Sequence, residues 1–135
     1  YRQKLAGPRL DRIDLYSNGH EIKHSALLTQ PEDKQADDNV RLRIANARSI
    51  QHARYAKTNK LNIDMTNSDI KKFAKIDPAA QELLNTAAER LNISARSYMR
   101  SIKVARTIAD LDKSPNITQA HISEALAYRR PTQDD

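Results

Sequence analysis

Cysteine and tryptophan are absent from this 135-residue chain, phenylalanine occurs once and glycine only twice. Without cysteine there is neither a disulfide nor a thiolate metal site, which favours a reducing compartment. The two glycines, Gly7 and Gly19, are too few for an architecture of strands and tight turns. They also leave no phosphate-cradling loop of the Walker kind, in which glycines let backbone N–H groups close on the phosphates. No apolar run nears the roughly 18 residues of a membrane span, and the first residues do not read as a signal peptide, so a cytoplasmic protein with no membrane partner is expected. The chain opens at Tyr1 rather than methionine, as a piece of a longer protein does.

What remains is 39% apolar and 30% charged, enough for one domain with an aliphatic core of Leu, Ile and Ala. The formal net charge of +6 suits a polyanionic partner, nucleic acid or nucleotide phosphate, and equally suits a solvated basic surface.

Two regions differ in pattern. Residues 1–38 hold both glycines, Pro8, Pro31 and the acidic run "PEDKQADD", and read as an arm and linker, expected to be mobile on its own. Residues 39–130 read as a helical domain, and 131–135 as a disordered tail. Asp37, Asp38 and Asn39 offer caps, and Val40, Ile44, Ala47 and Ile50 follow at helical spacing to about Lys57. Thr66 with Asp69 three residues on opens a short second helix ending near Lys75. Asp77-Pro78 is an N-cap and first helical residue, Ser94 caps a fourth helix over 95–111, and Thr118 a fifth to about Tyr128. The expected fold is all-α, a four- or five-helix bundle preceded by a poorly ordered arm.

Three segments carry side chains suited to chemistry. "HEIKH" at 20–24 fits H-E-x-x-H, in which two imidazoles one helical turn apart hold zinc and the glutamate polarises a water. It follows an Asn18-Gly19 turn, and no glycine and third histidine come at the spacing of the longer signature, so no metal is assigned. In the fourth predicted helix, Tyr98, Ile102, Ala105 and Ala109 share an apolar side, and Arg96, Arg100, Lys103 and Arg106 fall together opposite, with Asp110 placed to pair with Arg106 at i+4. Arg96 stands in the first turn, where the helix dipole disfavours a cation and a bound phosphate would compensate. Finally "GPRLDRIDL" sets Arg12 between Asp11 and Asp14, either a local ion pair or a guanidinium held ready for a partner's phosphate.

"KLAGPRLDRIDL" at 4–15 and "LNISARSYMRSIKVARTIADLDKSPNITQAHISEALAYRR" at 91–130 resemble the C-terminal part of the magnesium-chelatase-related AAA+ ATPases of the ComM/YifB family. The resemblance implies an ATPase core upstream, an arginine-bearing segment closing it, and then a helical lid. Arg12 takes the position of the arginine finger, acting in trans on the nucleotide of the next subunit of a homo-oligomeric ring, expected to be a hexamer. Arg96 takes that of the sensor 2 arginine, a catalytic and nucleotide-contacting residue. Arg100, Lys103 and Arg106 are then an interface to DNA or to a neighbouring subunit. ATP and Mg²⁺ are implied for the full-length protein, with DNA branch migration in natural transformation as its task. Walker A and B motifs are absent here, so this stretch does not hydrolyse ATP alone. The alternatives are a stand-alone basic helical module that binds nucleic acid, and a subunit of a metal-chelatase motor.

Overall fold

The computed structural model describes Leu15, residues 34–56 and residues 59–129. Five α-helices occur among them: α1 (Lys34–Tyr55), α2 (Asn67–Phe73), α3 (Pro78–Arg90), α4 (Ala95–Leu111) and α5 (Gln119–Ala127), with a 3-10 turn at Asn62–Asp64. The all-α expectation is met. Residues 1–14 and 16–33, which carry Arg12 and the "HEIKH" segment, and the tail from Arg130 onward, lie outside the described residues. No described helix is long and apolar enough to cross a membrane.

The helix starts follow from capping chemistry. Ser94 Oγ accepts from the Ser97 amide at 3.1 Å. Thr66 Oγ1 accepts from the Asp69 amide at 3.2 Å while Asp69 Oδ2 accepts from the Thr66 amide at 2.9 Å, a reciprocal capping box. Pro78 occupies the first turn of α3 after Asp77, whose side chain makes no cap bond. The start of α1 differs from expectation. It begins at Lys34, so the second half of the acidic run, read as linker, is helical. After Pro31 nothing in that run breaks a helix, and Asp37 lies in the first turn, where its charge complements the dipole.

The helix ends show what scarce glycine entails. Ala56, Lys75, Asn92 and Lys113 each follow a helix with φ of 50–55°. In α3 and α4 the six-residue loop-back bonds of a Schellman cap close over them, Ile93 N–H to the Ala88 carbonyl at 3.0 Å and Ser114 N–H to the Ala109 carbonyl at 2.8 Å. This left-handed position is the one glycine usually fills, and here four other residues hold it.

α4 is the central helix, packed by α1, the 3-10 turn, α2 and α5, while α3 lies on α5. Ile102, Ala105 and Ala109 of α4 meet Leu84, Ile117, Ile122 and Ala125 in the core, as the apolar face of α4 predicts. The loops after α2 and α4 are tied by a parallel bridge between Ile76 and Ile117, with Asp77 N–H on the Ile117 carbonyl and Ile117 N–H on the Lys75 carbonyl, both at 2.9 Å. Only the second half of α1 is covered. Ala47, Gln51 and Tyr55 are buried, whereas Val40, Leu42 and Ile44 remain exposed.

Candidate anion-binding groove on the central helix

The cations of α4 divide into two groups. Arg106 is 1% exposed and does not share the solvent-facing side with Arg100 and Lys103. The expectation that it joins a DNA or subunit contact is therefore corrected: its guanidinium is consumed inside the fold. Nε donates to Asp110 Oδ1 at 3.1 Å, Nη1 to the carbonyls of Ala74 and Pro115 at 3.0 and 2.9 Å, and Nη2 to the Ser114 carbonyl at 2.7 Å. One planar fork thus satisfies carbonyls left open at the end of α2 and in the α4–α5 loop.

Asp110 is shared with α1. Arg54 binds it bidentately, Nη1 to Oδ2 at 2.8 Å and Nη2 to Oδ1 at 2.6 Å. Asn62 joins the three: its Nδ2 donates to Asp110 Oδ2 at 2.8 Å and Thr107 Oγ1 at 3.1 Å, its Oδ1 accepts from Tyr55 Oη at 2.6 Å and Arg54 Nη1 at 3.0 Å, and its N–H donates to Gln51 Oε1 at 2.9 Å. The hydrogen bond from Asp110 raises the pKa of Arg54 above its ordinary value despite partial burial. Burial pushes Arg106 the other way, with Asp110 opposing. Both stay cationic, because guanidinium lies far above neutral pH. One carboxylate serves the buried Arg106 and the partly buried Arg54, and the carbonyls around Arg106 supply the remaining negative charge density.

The other cations of α4 line a groove. A groove of about 640 Å³ beside the start of α4 is lined by Arg96, Arg100 and Lys103, with Ile63, Met99, Ala95 and Asn67 between them. No carboxylate among the described residues lines it. Lys103 Nζ donates to the Ile63 carbonyl at 3.2 Å, which fixes that side chain against the 3-10 turn. Arg96 is exposed in the first turn of α4, which contains no acidic residue. Three positive side chains beside a helix start, where the dipole favours negative charge, form a cradle suited to an anion.

The family model described as magnesium chelatase, subunit ChlI C-terminal, matches residues 34–129. The competence protein ComM of Haemophilus influenzae is 33% identical over 129 residues, which are 96% of this chain and 25% of that protein. The protein YifB of Escherichia coli is 34% identical over 129 residues, with the same shares. An uncharacterised protein of Mycobacterium tuberculosis is 31% identical over 133 residues, 96% of this chain and 26% of that protein. The chain belongs to the magnesium chelatase ChlI C-terminal family. It spans about a quarter of the length of these relatives.

Within this ChlI C-terminal domain, the groove brings together Arg96, Arg100 and Lys103 of the residues singled out in the sequence and excludes Arg106. Arg12 lies outside the described residues. Among those described, no group of three or more His, Asp or Glu is placed to hold a metal. His121 instead completes the start of α5: Nδ1 accepts from the Thr118 amide at 3.0 Å, so Nε2 carries the proton and donates to Asp112 Oδ2 at 2.9 Å. The buried hub of Arg54, Asn62 and Asp110 was missed. Its single trace in the sequence is the Arg106–Asp110 spacing, which reports a pair but not its burial.

Proposed function

We propose that this domain is the helical lid of a ring-forming AAA+ ATPase, in which Arg96 is the sensor 2 arginine and Arg12 the arginine finger reaching the nucleotide of the next subunit. ATP with Mg²⁺ is bound by the upstream core, and the full-length ring, a hexamer, couples hydrolysis to branch migration on DNA as in ComM-like natural transformation. The observation that carries this reading is the setting of Arg96, an exposed guanidinium in a groove that it lines with two further cations and no carboxylate among the described residues, in a domain whose family membership is established. Fixed guanidinium groups stabilise charge on the transferred phosphoryl without reorganising during the step, and an arginine finger contributes about 10³–10⁵ in rate. Arg100 and Lys103 supply either a DNA contact or a subunit contact.

The test is ATP turnover by the full-length protein with Arg96→Ala and Arg12→Ala. Both variants are expected to assemble and bind nucleotide, with kcat lowered by about 10³ or more for Arg12→Ala. Normal turnover by either variant removes that residue from the mechanism.

A second reading, a basic module that binds nucleic acid without an ATPase, draws on the same three groove cations. It predicts that the 135-residue chain binds DNA with a log–log salt slope of about −0.9 for each phosphate neutralised, hence roughly −2.7 for three. The lid reading predicts weak or no binding by this chain alone.

A further inference from the structure

The start of α4 is tied to α3 on the side away from the groove. Tyr98 lies two residues past Arg96, hence about 200° round the helix, and its side chain runs to α3. The hydroxyl accepts from Gln81 Nε2 and donates to Asn85 Oδ1, both at 2.7 Å. Gln81 Nε2 also donates to Asn85 Oδ1 at 3.1 Å, which closes the three groups into a ring. Gln81 and Asn85 stand one turn apart on α3, each next to a residue buried in the core, Ala80 and Leu84. The ring therefore joins a helix anchored in the core to the turn that carries Arg96.

That turn needs an anchor. Arg96 sits where the helix dipole disfavours a cation, and Arg100 follows at i+4, a spacing at which like charges destabilise a helix. The Ser94 cap satisfies an amide within α4 but does not bind the helix start to a neighbour. Further along, α4 is held by the Arg54–Asp110 pair and by the Arg106 fork.

We infer that Tyr98 is a positioning residue for Arg96: through Gln81 and Asn85 it fixes the first turn of α4 to α3 and so holds the guanidinium at the groove. Its effect on catalysis rests on the sensor 2 role proposed above; the brace itself does not.

Tyr98→Phe keeps the ring that packs on the core and removes only the hydroxyl. In the ¹⁵N-labelled 135-residue protein, backbone order parameters over residues 96–99, and that of Arg96 Nε, are expected to fall from about 0.85 towards about 0.6, while those over 105–109 hold. Asn85→Ala, made on α3, should reproduce the loss. Asn85→Asp, which keeps an acceptor for both bonds, should not. Unchanged order over 96–99 in Tyr98→Phe, an equal fall along all of α4, or Asn85→Asp behaving as Asn85→Ala overturns the inference.

In the full-length protein, Tyr98→Phe should lower kcat for ATP about tenfold with the affinity for ATP unchanged, because the guanidinium is misplaced rather than missing. Added to Arg96→Ala it should cost nothing further; an additional loss would mean that Tyr98 acts by another route and would overturn the positioning role. Normal turnover by Arg96→Ala removes the sensor 2 reading while the order parameters still decide the brace, so the two fail separately.

Discussion

The two halves of α4 use the same kinds of residue for opposite ends. In the first half, Arg96 and Arg100 border an open groove; one turn past Lys103, Arg106 is buried with its hydrogen-bonding capacity spent on Asp110 and three carbonyls. The difference lies in what covers the helix. The end of α1 and the 3-10 turn close over the second half of α4, bringing Arg54 and Asn62 to Asp110. A cation under such a cover needs a complete set of acceptors, whereas one beyond its edge can serve a ligand. Residue type thus says little about role here, and position relative to α1 says most.

The largest expected effect comes from removing the shared carboxylate. Asp110→Ala leaves Arg54 and Arg106 uncompensated, and loss of one partner of a buried pair costs about 3–5 kcal/mol. Urea unfolding of this variant should show that loss, or no folded state at all. Arg96→Ala, at an exposed position without such a partner set, should stay within about 0.5 kcal/mol of the parent. Equal midpoints for the two variants would erase the distinction between the halves. A smaller effect tests the fork itself. Arg106→Lys keeps the charge but cannot reach Asp110 and three carbonyls at once, so about 2 kcal/mol is expected to be lost, while Arg96→Lys leaves stability nearly unchanged.

How much of this was legible in the sequence follows from the range over which each interaction acts. Thr66 with Asp69, Pro78 and Ser94 marked helix starts because a cap acts within four residues. The apolar side of α4 was readable for the same reason, its period being local. The start of α1 was placed late because acidic residues suit both a solvated loop and a first helical turn. Arg106 was misread because α4 alone puts it at the border of the apolar face, and burial there is decided by the end of α2 and the α4–α5 loop, whose Ala74, Ser114 and Pro115 carbonyls receive its guanidinium. The groove was half legible: its cations share one helix, but the place of Ile63 beside them is a fact of packing.

Helix ends sharpen the comparison at a lower energy. Lys113 ends the covered half of α4 at a φ of 55°, where a Cβ is disfavoured. Lys113→Gly should therefore stabilise the domain by about 1 kcal/mol, measured as a raised urea midpoint with unchanged slope. Asn92→Gly, at the end of α3, should gain less, because asparagine tolerates this conformation better than lysine does.

The smallest effect belongs to an ion pair outside the buried hub. Lys60 Nζ lies 2.6 Å from Asp69 Oδ2, and this bond, followed by that of the Thr66 amide, lowers the pKa of Asp69 to about 2. Because the folded value lies below the unfolded one of about 3.9, the unfolded chain binds the proton more readily. Asp69 therefore contributes stability above about pH 4, and that contribution is lost as pH falls through about 2. The parent should exceed Asp69→Asn in stability at pH 6, and the gap should narrow steadily between pH 4 and pH 2. Arg106→Lys, whose partners include three carbonyls that do not titrate, should retain most of its deficit across the same range. A gap for Asp69→Asn that persists unchanged at pH 2 would mean that its charge contributes nothing beyond the shape of the cap.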